Sequence, residues 1–229
     1  MTRALHIFSV ALITMGIVFL TDAGLTLVWK EPLSAIYASV QQGEAADELE
    51  DVRRGFLALP EVAAEEDENP TSDPLKSVRR LADIFSEQTV NGEAIGSIEI
   101  PSIGSDNIFV EGTDKSDLQR GPGRYPDTAL PGQGRTIGIA GHRTTYGAPF
   151  HEIDDVEVGD RITLDMPYAV LTYEVTETKI VEPTMTEIVD DVGRERLVLT
   201  ACHPLYSAAQ RYAVFADLES VELASASAT

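Results

Sequence analysis

The chain has 229 residues, with 38 Asp and Glu against 17 Lys and Arg, a formal net charge of -21. That length holds one domain of ordinary size plus further segments, and the acidic balance excludes nucleic-acid binding, which needs a basic footprint. Cys202 is the only cysteine, so no internal disulfide can form and the thiol is either an inert core group or a working nucleophile.

Ala4 to Leu20 is nearly all apolar, with His6, Ser9 and Thr14 as mild exceptions. As a helix these 17 residues rise about 26 Å, close to the ~30 Å of a bilayer's hydrocarbon, and continuation to Trp29 adds the rest. Asp22 then falls near the outer boundary, where a carboxylate costs less than at the centre, and Trp29 reads as an interfacial anchor. Arg3 and the terminal amine lie on one side and the acids on the other. This orients the N-terminus inward and everything after it outward. Residues 1–30 are therefore expected to be a membrane anchor. A cleaved signal peptide is the alternative, with a weak small-residue site at Ala35 to Ser39.

Residues 31–74 carry twelve acids against Arg53 and Arg54, which predicts an acidic, solvated, extracytoplasmic stalk, partly helical from Leu33 to Leu59 and stopped by Pro60. Leu75, Val78, Leu81, Ala82 and Phe85 then recur at three- and four-residue steps. They mark residues 75–92 as an amphipathic helix leading into the next domain.

From residue 93 to 221 the pattern changes to short strands separated by Gly, Pro and Asp. Strands are predicted at 95–100, 107–111, 136–141, 160–165, 170–181, 197–202 and 212–218, with a long irregular crossing through Gly121-Pro122-Gly123 and Pro131-Gly132. The fold class is all-β, an antiparallel barrel or sandwich. Residues 222–229 read as a frayed Ser/Ala-rich tail.

Thiol attack on a peptide carbonyl needs a thiolate, a proton donor for the leaving amine, and positive charge where the oxyanion develops. Cys202 ends a buried-looking strand, Arg211 opens the next one nine positions later, and His142 ends an earlier strand in Gly141-His142-Arg143. A loop joining adjacent antiparallel strands would bring Cys202 and Arg211 to one end of the sheet. His203 adjoins the thiol in sequence, but neighbouring side chains of an extended chain point to opposite faces. His151 lies in a polar turn and reads as a surface residue. Taken singly, each of the three chemical residues has a bland reading, as core thiol or solvated charge.

Leu199-Thr200-Ala201-Cys202 with Arg211 downstream resembles the Leu-x-Thr-Cys and arginine signature of the sortase family, and Gly141-His142 resembles its histidine motif. The resemblance covers about residues 95–218. It implies an eight-stranded β-barrel with short helices behind an N-terminal anchor. The implied catalytic residues are Cys202, His142 and Arg211, with no cofactor and no metal. Ala140 to Tyr146 and Cys202-His203-Pro204 look most like class E sortases of actinobacteria, which implies a Leu-Ala-x-Thr-Gly sorting signal in place of Leu-Pro-x-Thr-Gly. The implied partners are surface proteins bearing that signal, and a peptidoglycan-precursor or pilin amine as acceptor. Tyr146 and Thr144, close after His142, and Ala201, just before the thiol, are candidate substrate contacts, although Tyr146 reads equally well as a core aromatic. Ala201 stands where the family usually has Thr, so a hydroxyl that could grip substrate or backbone is missing. An L,D-transpeptidase fits less well, because that pattern has Arg two positions after its cysteine. A non-catalytic, membrane-anchored binding domain is the remaining alternative.

Overall fold

A computed structural model describes residues 2–28, 32–67 and 73–224. Eight strands close into a barrel: β1 (Ala94–Ile100), β2 (Ser105–Glu111), β3 (Gly123–Arg124), β4 (Thr136–Gly141), β5 (Arg161–Asp165), β6 (Ala169–Val181), β7 (Arg196–His203) and β8 (Gln210–Leu223). Their order around the barrel is β1-β2-β3-β4-β7-β8-β6-β5. The alternatives of barrel and sandwich thus resolve to a barrel. Two pairings, β2 with β3 and β4 with β7, are parallel. The eighth strand, β3, falls in the stretch expected to be an irregular crossing. It is two residues long, and Gly123 carries no apolar signal. A Cβ there would strike the Gly112 carbonyl, so glycine lets β3 close against the neighbouring chain.

Alternation of side chains fixes the interior. Ile98, Ile100, Ile137, Ile139, Leu197, Leu199, Val214 and Ala216 are wholly buried in one apolar cluster. On β7 and β8 the intervening positions Val198, Ala213 and Phe215 form a second cluster on the outer face. Ile188 and Val189, from the β6–β7 connection, cover that cluster.

The segment expected to be a solvated stalk is docked instead. Helix α2 (Pro32–Leu57) lies against β1 and β2. Ala38, Ala45, Leu49 and Phe56 are buried, at intervals of seven, four and seven residues, whereas Glu44, Asp47, Glu50 and Asp51 stay exposed. The acids were therefore one face of an amphipathic helix. Gln42 works as a two-way clamp. Its amide donates to the carbonyls of Ile108 and Arg120, and its carbonyl accepts from Ile108 N–H at 2.7 Å. Glu48 pairs with Arg120, and Arg53 with Asp165 at 3.1 Å. Phe56 meets Phe85 edge-on with ring centres 5.2 Å apart and Tyr168 at 6.1 Å.

Pro60 does not simply end the helical stretch: α2 stops at Leu57 and Pro60 opens α3 (Pro60–Asp67). Helix α4 (Pro74–Ser86) buries Val78, Leu81, Ala82 and Phe85 as the spacing predicts, but Leu75 is exposed. Asp73 caps it by accepting from Leu75 N–H at 3.2 Å. A short helix α5 (Lys115–Leu118) follows β2.

Helix α1 spans Thr2–Val28 and leaves Leu5, Ile7, Phe8, Ile13, Phe19 and Leu20 exposed. Among the described residues no helix is long and apolar enough to cross a membrane. Trp29 and residues 225–229, and with them the interfacial-anchor and most of the frayed-tail expectations, lie outside the described residues.

Candidate active site

β7 is the central strand of the site. On its one side, the parallel ladder with β4 runs from Thr136 opposite Arg196 to Gly141 opposite Ala201. On its other side, the antiparallel ladder with β8 places Cys202 directly opposite Arg211 and Ala201 opposite Tyr212. Leu197, Leu199 and Ala201 point inward with Val214 and Ala216, so Val198, Thr200 and Cys202 point outward. Arg211 shares that outward parity with Ala213 and Phe215.

His142 follows Gly141 directly, and its parity is that of Gly138 and Ala140, opposite to Ile137 and Ile139. The β4–β7 ladder ends at Gly141 opposite Ala201; continued by one residue, that register would put His142 beside Cys202. The three expected residues therefore come from three adjacent strands, β4, β7 and β8, at one end and on one face. Neighbouring strands lie about 4.8 Å apart, so on this register Cys202 stands between His142 and Arg211, about one strand spacing from each. Cys202, His142 and Arg211 are each half-buried.

Burial holds the His142 imidazole below its ordinary value of 6.5. Its ring lies 5.2 Å from that of Tyr146. Tyr146, Gly147 and Ala148 all have positive φ (52°, 77° and 48°), a left-handed turn that folds Tyr146 back over the histidine. Tyr146 also accepts from Gln119 at its hydroxyl, 3.1 Å away, and meets Tyr37 of α2 edge-on at 6.2 Å. Thr144 sits half-buried at the start of the same loop. The Arg211 guanidinium is steadied by its own loop, with Nη1 donating to the carbonyls of Ala208 at 3.1 Å and Gln210 at 3.0 Å.

A cleft of ≈ 410 Å³ opens on this outer face, between the β6–β7 connection and the turn after β3. Thr200 and Arg211 form its floor, Tyr125 and Thr128 one wall, and Met185 and Ile188 the other. Tyr125 and Thr200 share a hydrogen bond of 2.8 Å between their hydroxyls. Gly138 keeps the wall close, since a Cβ there would lie 2.7 Å from the Tyr125 ring and 3.0 Å from Val189. Cys202 is the next outward position after Thr200 on β7; of the three expected residues Arg211 lines the cleft, and Cys202 and His142 do not.

Some expected contacts lie elsewhere in the fold. Ala201 is 3% exposed and belongs to the barrel interior, so its side chain does not face the cleft. The outward hydroxyl beside the thiol is that of Thr200, which the alternation of β7 identifies. His203 faces away from Cys202, as expected from an extended backbone, with its ring 5.8 Å from Tyr212. His151 is half-buried rather than a surface residue, and its Nδ1 lies 2.6 Å from the Arg143 carbonyl. Tyr125 carried no motif signal, because a turn before an aspartate and a threonine looks the same whether or not it walls a cleft.

Known proteins share this architecture. A sortase-domain family profile matches residues 98–219, just over half of the chain. Sortase D of Bacillus subtilis (strain 168) is 38% identical over 128 residues, which is 54% of this chain and 63% of that protein. The chain thus spans just under two thirds of the length of that curated relative. Among solved structures, sortase E of Streptomyces avermitilis aligns with a TM-score of 0.54 and 32% identity over 58% of this chain and 93% of that one. A sortase D5 transpeptidase of Clostridium perfringens gives a TM-score of 0.62 at 24% identity, over 79% and 99% of the two chains, a likeness of fold. The profile, the curated relative and the closed barrel with its outer cleft agree: this chain belongs to the sortase family.

Proposed function

We propose that the chain is a membrane-anchored cysteine transpeptidase that cuts a C-terminal sorting signal between Thr and Gly and transfers the protein to a cell-wall amine. The observation that supports this reading is the β7–β8 register, which sets Cys202 directly opposite Arg211, with Arg211 lining an outer cleft and His142 following the end of β4. Family membership sets aside the L,D-transpeptidase alternative.

The chemistry follows from the groups present. Cys202 Sγ, as thiolate, attacks the Thr carbonyl, and the oxyanion that forms lies beside the Arg211 guanidinium. The tetrahedral species collapses with cleavage of the Thr–Gly bond, and His142 gives its proton to the departing Gly amine. The Thr acyl group is now a thioester on Cys202. An acceptor amine attacks that carbonyl, His142 takes the amine's proton, and the thiolate leaves. The protein is then joined to the acceptor by an amide.

The cleft lined by Tyr125, Thr200 and Met185 would take an extended peptide; its signal, on the resemblance to class E sortases, is Leu-Ala-x-Thr-Gly, with Leu-Pro-x-Thr-Gly the competitor. Tyr146 and Thr144, next to His142, are the further substrate contacts in this reading. The reading takes α1, whose Leu5, Ile7, Phe8 and Phe19 are exposed, as the anchor, with the barrel on the extracytoplasmic side. Surface proteins and a peptidoglycan-precursor or pilin amine are the two substrates.

The test is transfer by the full chain, in detergent, of each of the two signal peptides to a set of amines. Amide product that requires Cys202 and forms faster from the Ala peptide supports the whole reading. Faster turnover of the Pro peptide refutes the signal, and product from Cys202→Ala refutes the enzyme. A thiol that resists alkylation and is not protected by either peptide favours a binding domain instead.

A further inference from the structure

The β4–β7 ladder ends at the pair Gly141 and Ala201, one residue short of both His142 and Cys202. On its β8 side the Cys202 backbone remains paired, opposite Arg211. On its β4 side the pairing ends one residue earlier, at Ala201 opposite Gly141. One side chain lies beyond that pair. Arg143, immediately after His142, is only 4% exposed although it carries a charge.

Its guanidinium reaches both strand ends. Nη1 lies 3.5 Å from the Cys202 carbonyl and 3.2 Å from His203 Nδ1. Nε donates to the His151 carbonyl at 3.1 Å, and Nη2 pairs with the Asp154 carboxylate. In return, His151 Nδ1 lies 2.6 Å from the Arg143 carbonyl. A guanidinium can only donate, so His203 accepts through Nδ1 and presents Nε2 elsewhere. Asp154 is desolvated, which opposes its ionisation, yet the hydrogen bond and charge of Arg143 hold its carboxyl below the ordinary range.

We propose that Arg143 is a positioning residue that extends the tie beyond the last paired residues, holding the Cys202 end of β7 to the His142 end of β4. This rests on the reading of Cys202 and His142 as the reacting pair. A planar fork with several fixed donors suits such a tie, because it holds carbonyl, imidazole and carboxylate in one geometry. Stability alone does not call for burying a guanidinium against a solvent-exposed carboxylate, since apolar packing of similar volume serves as well or better. Proton transfer between thiol and imidazole is sensitive to placement, and a shift of about 1 Å can cost on the order of 100-fold in rate. Arg211 lies on the opposite flank of β7 and has a separate role at the oxyanion.

The experiment compares the full-length parent with Arg143→Met, Arg143→Lys and His203→Ala. Steady-state transfer of the sorting peptide is measured at a temperature where thermal melts show every variant folded. The expected result is a kcat lowered on the order of 10- to 100-fold in Arg143→Met, with KM within about threefold. Arg143→Lys keeps the charge but not the fork, and should not restore the rate. His203→Ala, which leaves the Arg143–Asp154 pair intact, should lower kcat by a smaller factor. A folded Arg143→Met with kcat within about twofold of the parent, or a loss confined to KM, overturns the proposal. If Arg143→Met does not fold, an unchanged kcat in His203→Ala overturns it. Cys202→Ala is run alongside: product from that variant sinks the enzymatic reading itself. A parent that needs Cys202 but is indifferent to Arg143 sinks only the positioning role.

Discussion

Cys202 and Arg211 are directly opposed across the β7–β8 ladder, on the outward face of the barrel. Directly opposed residues hold their Cβ atoms about 4.5–5.5 Å apart, which places a guanidinium within reach of any carbonyl attacked by the thiol. Arg211→Ala should lower kcat on the order of 100- to 1,000-fold, the range for losing an oxyanion donor, with little change in melting temperature. Arg211→Lys should lose less. Cys202→Ala should abolish transfer. Single-turnover acylation with the sorting peptide measures all three, and an Arg211→Ala rate near the parent's would remove the oxyanion role.

Tyr125 and Thr200 join the cleft wall to its floor by one hydroxyl pair. Thr200→Val leaves the Tyr125 hydroxyl without that partner and should cost about 1–2 kcal/mol in urea unfolding. Tyr125→Phe should cost about as much. The double variant should cost less than the sum of the singles, because the two changes remove one interaction. Strict additivity would mean that the pair contributes nothing.

Gly141 closes the ladder that carries His142, and a Cβ there would run into the Phe150 ring. Phe150 is wholly buried, and its N–H donates to the His142 carbonyl at 3.0 Å. Gly141→Ala should therefore destabilise the barrel by about 1–3 kcal/mol through overpacking, and should also lower kcat in molecules that remain folded. A variant with parent stability and rate would show that Phe150 moves freely.

Phe56 anchors α2 between Phe85 and Tyr168 and is 2% exposed. Phe56→Ala should cost about 3–5 kcal/mol, as large as an interior barrel substitution. A chain starting at residue 75 should then unfold at lower denaturant than one starting at 32. Equal midpoints would return α2 to the status of a loose stalk.

Burial keeps His142 below 6.5, so the folded state favours the neutral ring. That preference stabilises the fold fully above the unfolded value of about 6.5, and the stabilisation is lost as pH falls through the lower folded value. His142→Asn should therefore lose less stability than the parent on going down from about pH 7. Asp154, Asp191 and Glu219 are also held low, but at carboxylate values, and are common to both proteins. Parallel acid limbs in chemical unfolding would contradict the burial effect.

The parts of the site legible in the sequence were those written as local spacing. Seven strands showed through their alternation, and Cys202, Arg211 and His142 through their strand ends. The rest depended on long-range contacts. Nothing in Gly123-Arg124 signals a strand, because its pairing comes from partners on either side. The acids of α2 outweighed a stripe built partly of alanines, whose burial depends on the barrel face they meet. Ala201 was read by motif position, whereas the pleat of β7 assigns it to the interior and Thr200 to the cleft. Arg143 looked like a charge beside a histidine, and its partners lie 8 to 60 residues away.

The docking of α2 also sets the length of a leash. Tyr37 touches Tyr146, which lies against His142. From Val28 to Pro32 the chain spans at most about 14 Å, and the helix from Pro32 to Tyr37 adds about 8 Å. The reactive rim thus sits within roughly 25 Å of the end of α1, plus the reach of two aromatic rings. On the proposed anchoring of α1, this distance would hold the rim near the lipid headgroups and not deep in the wall.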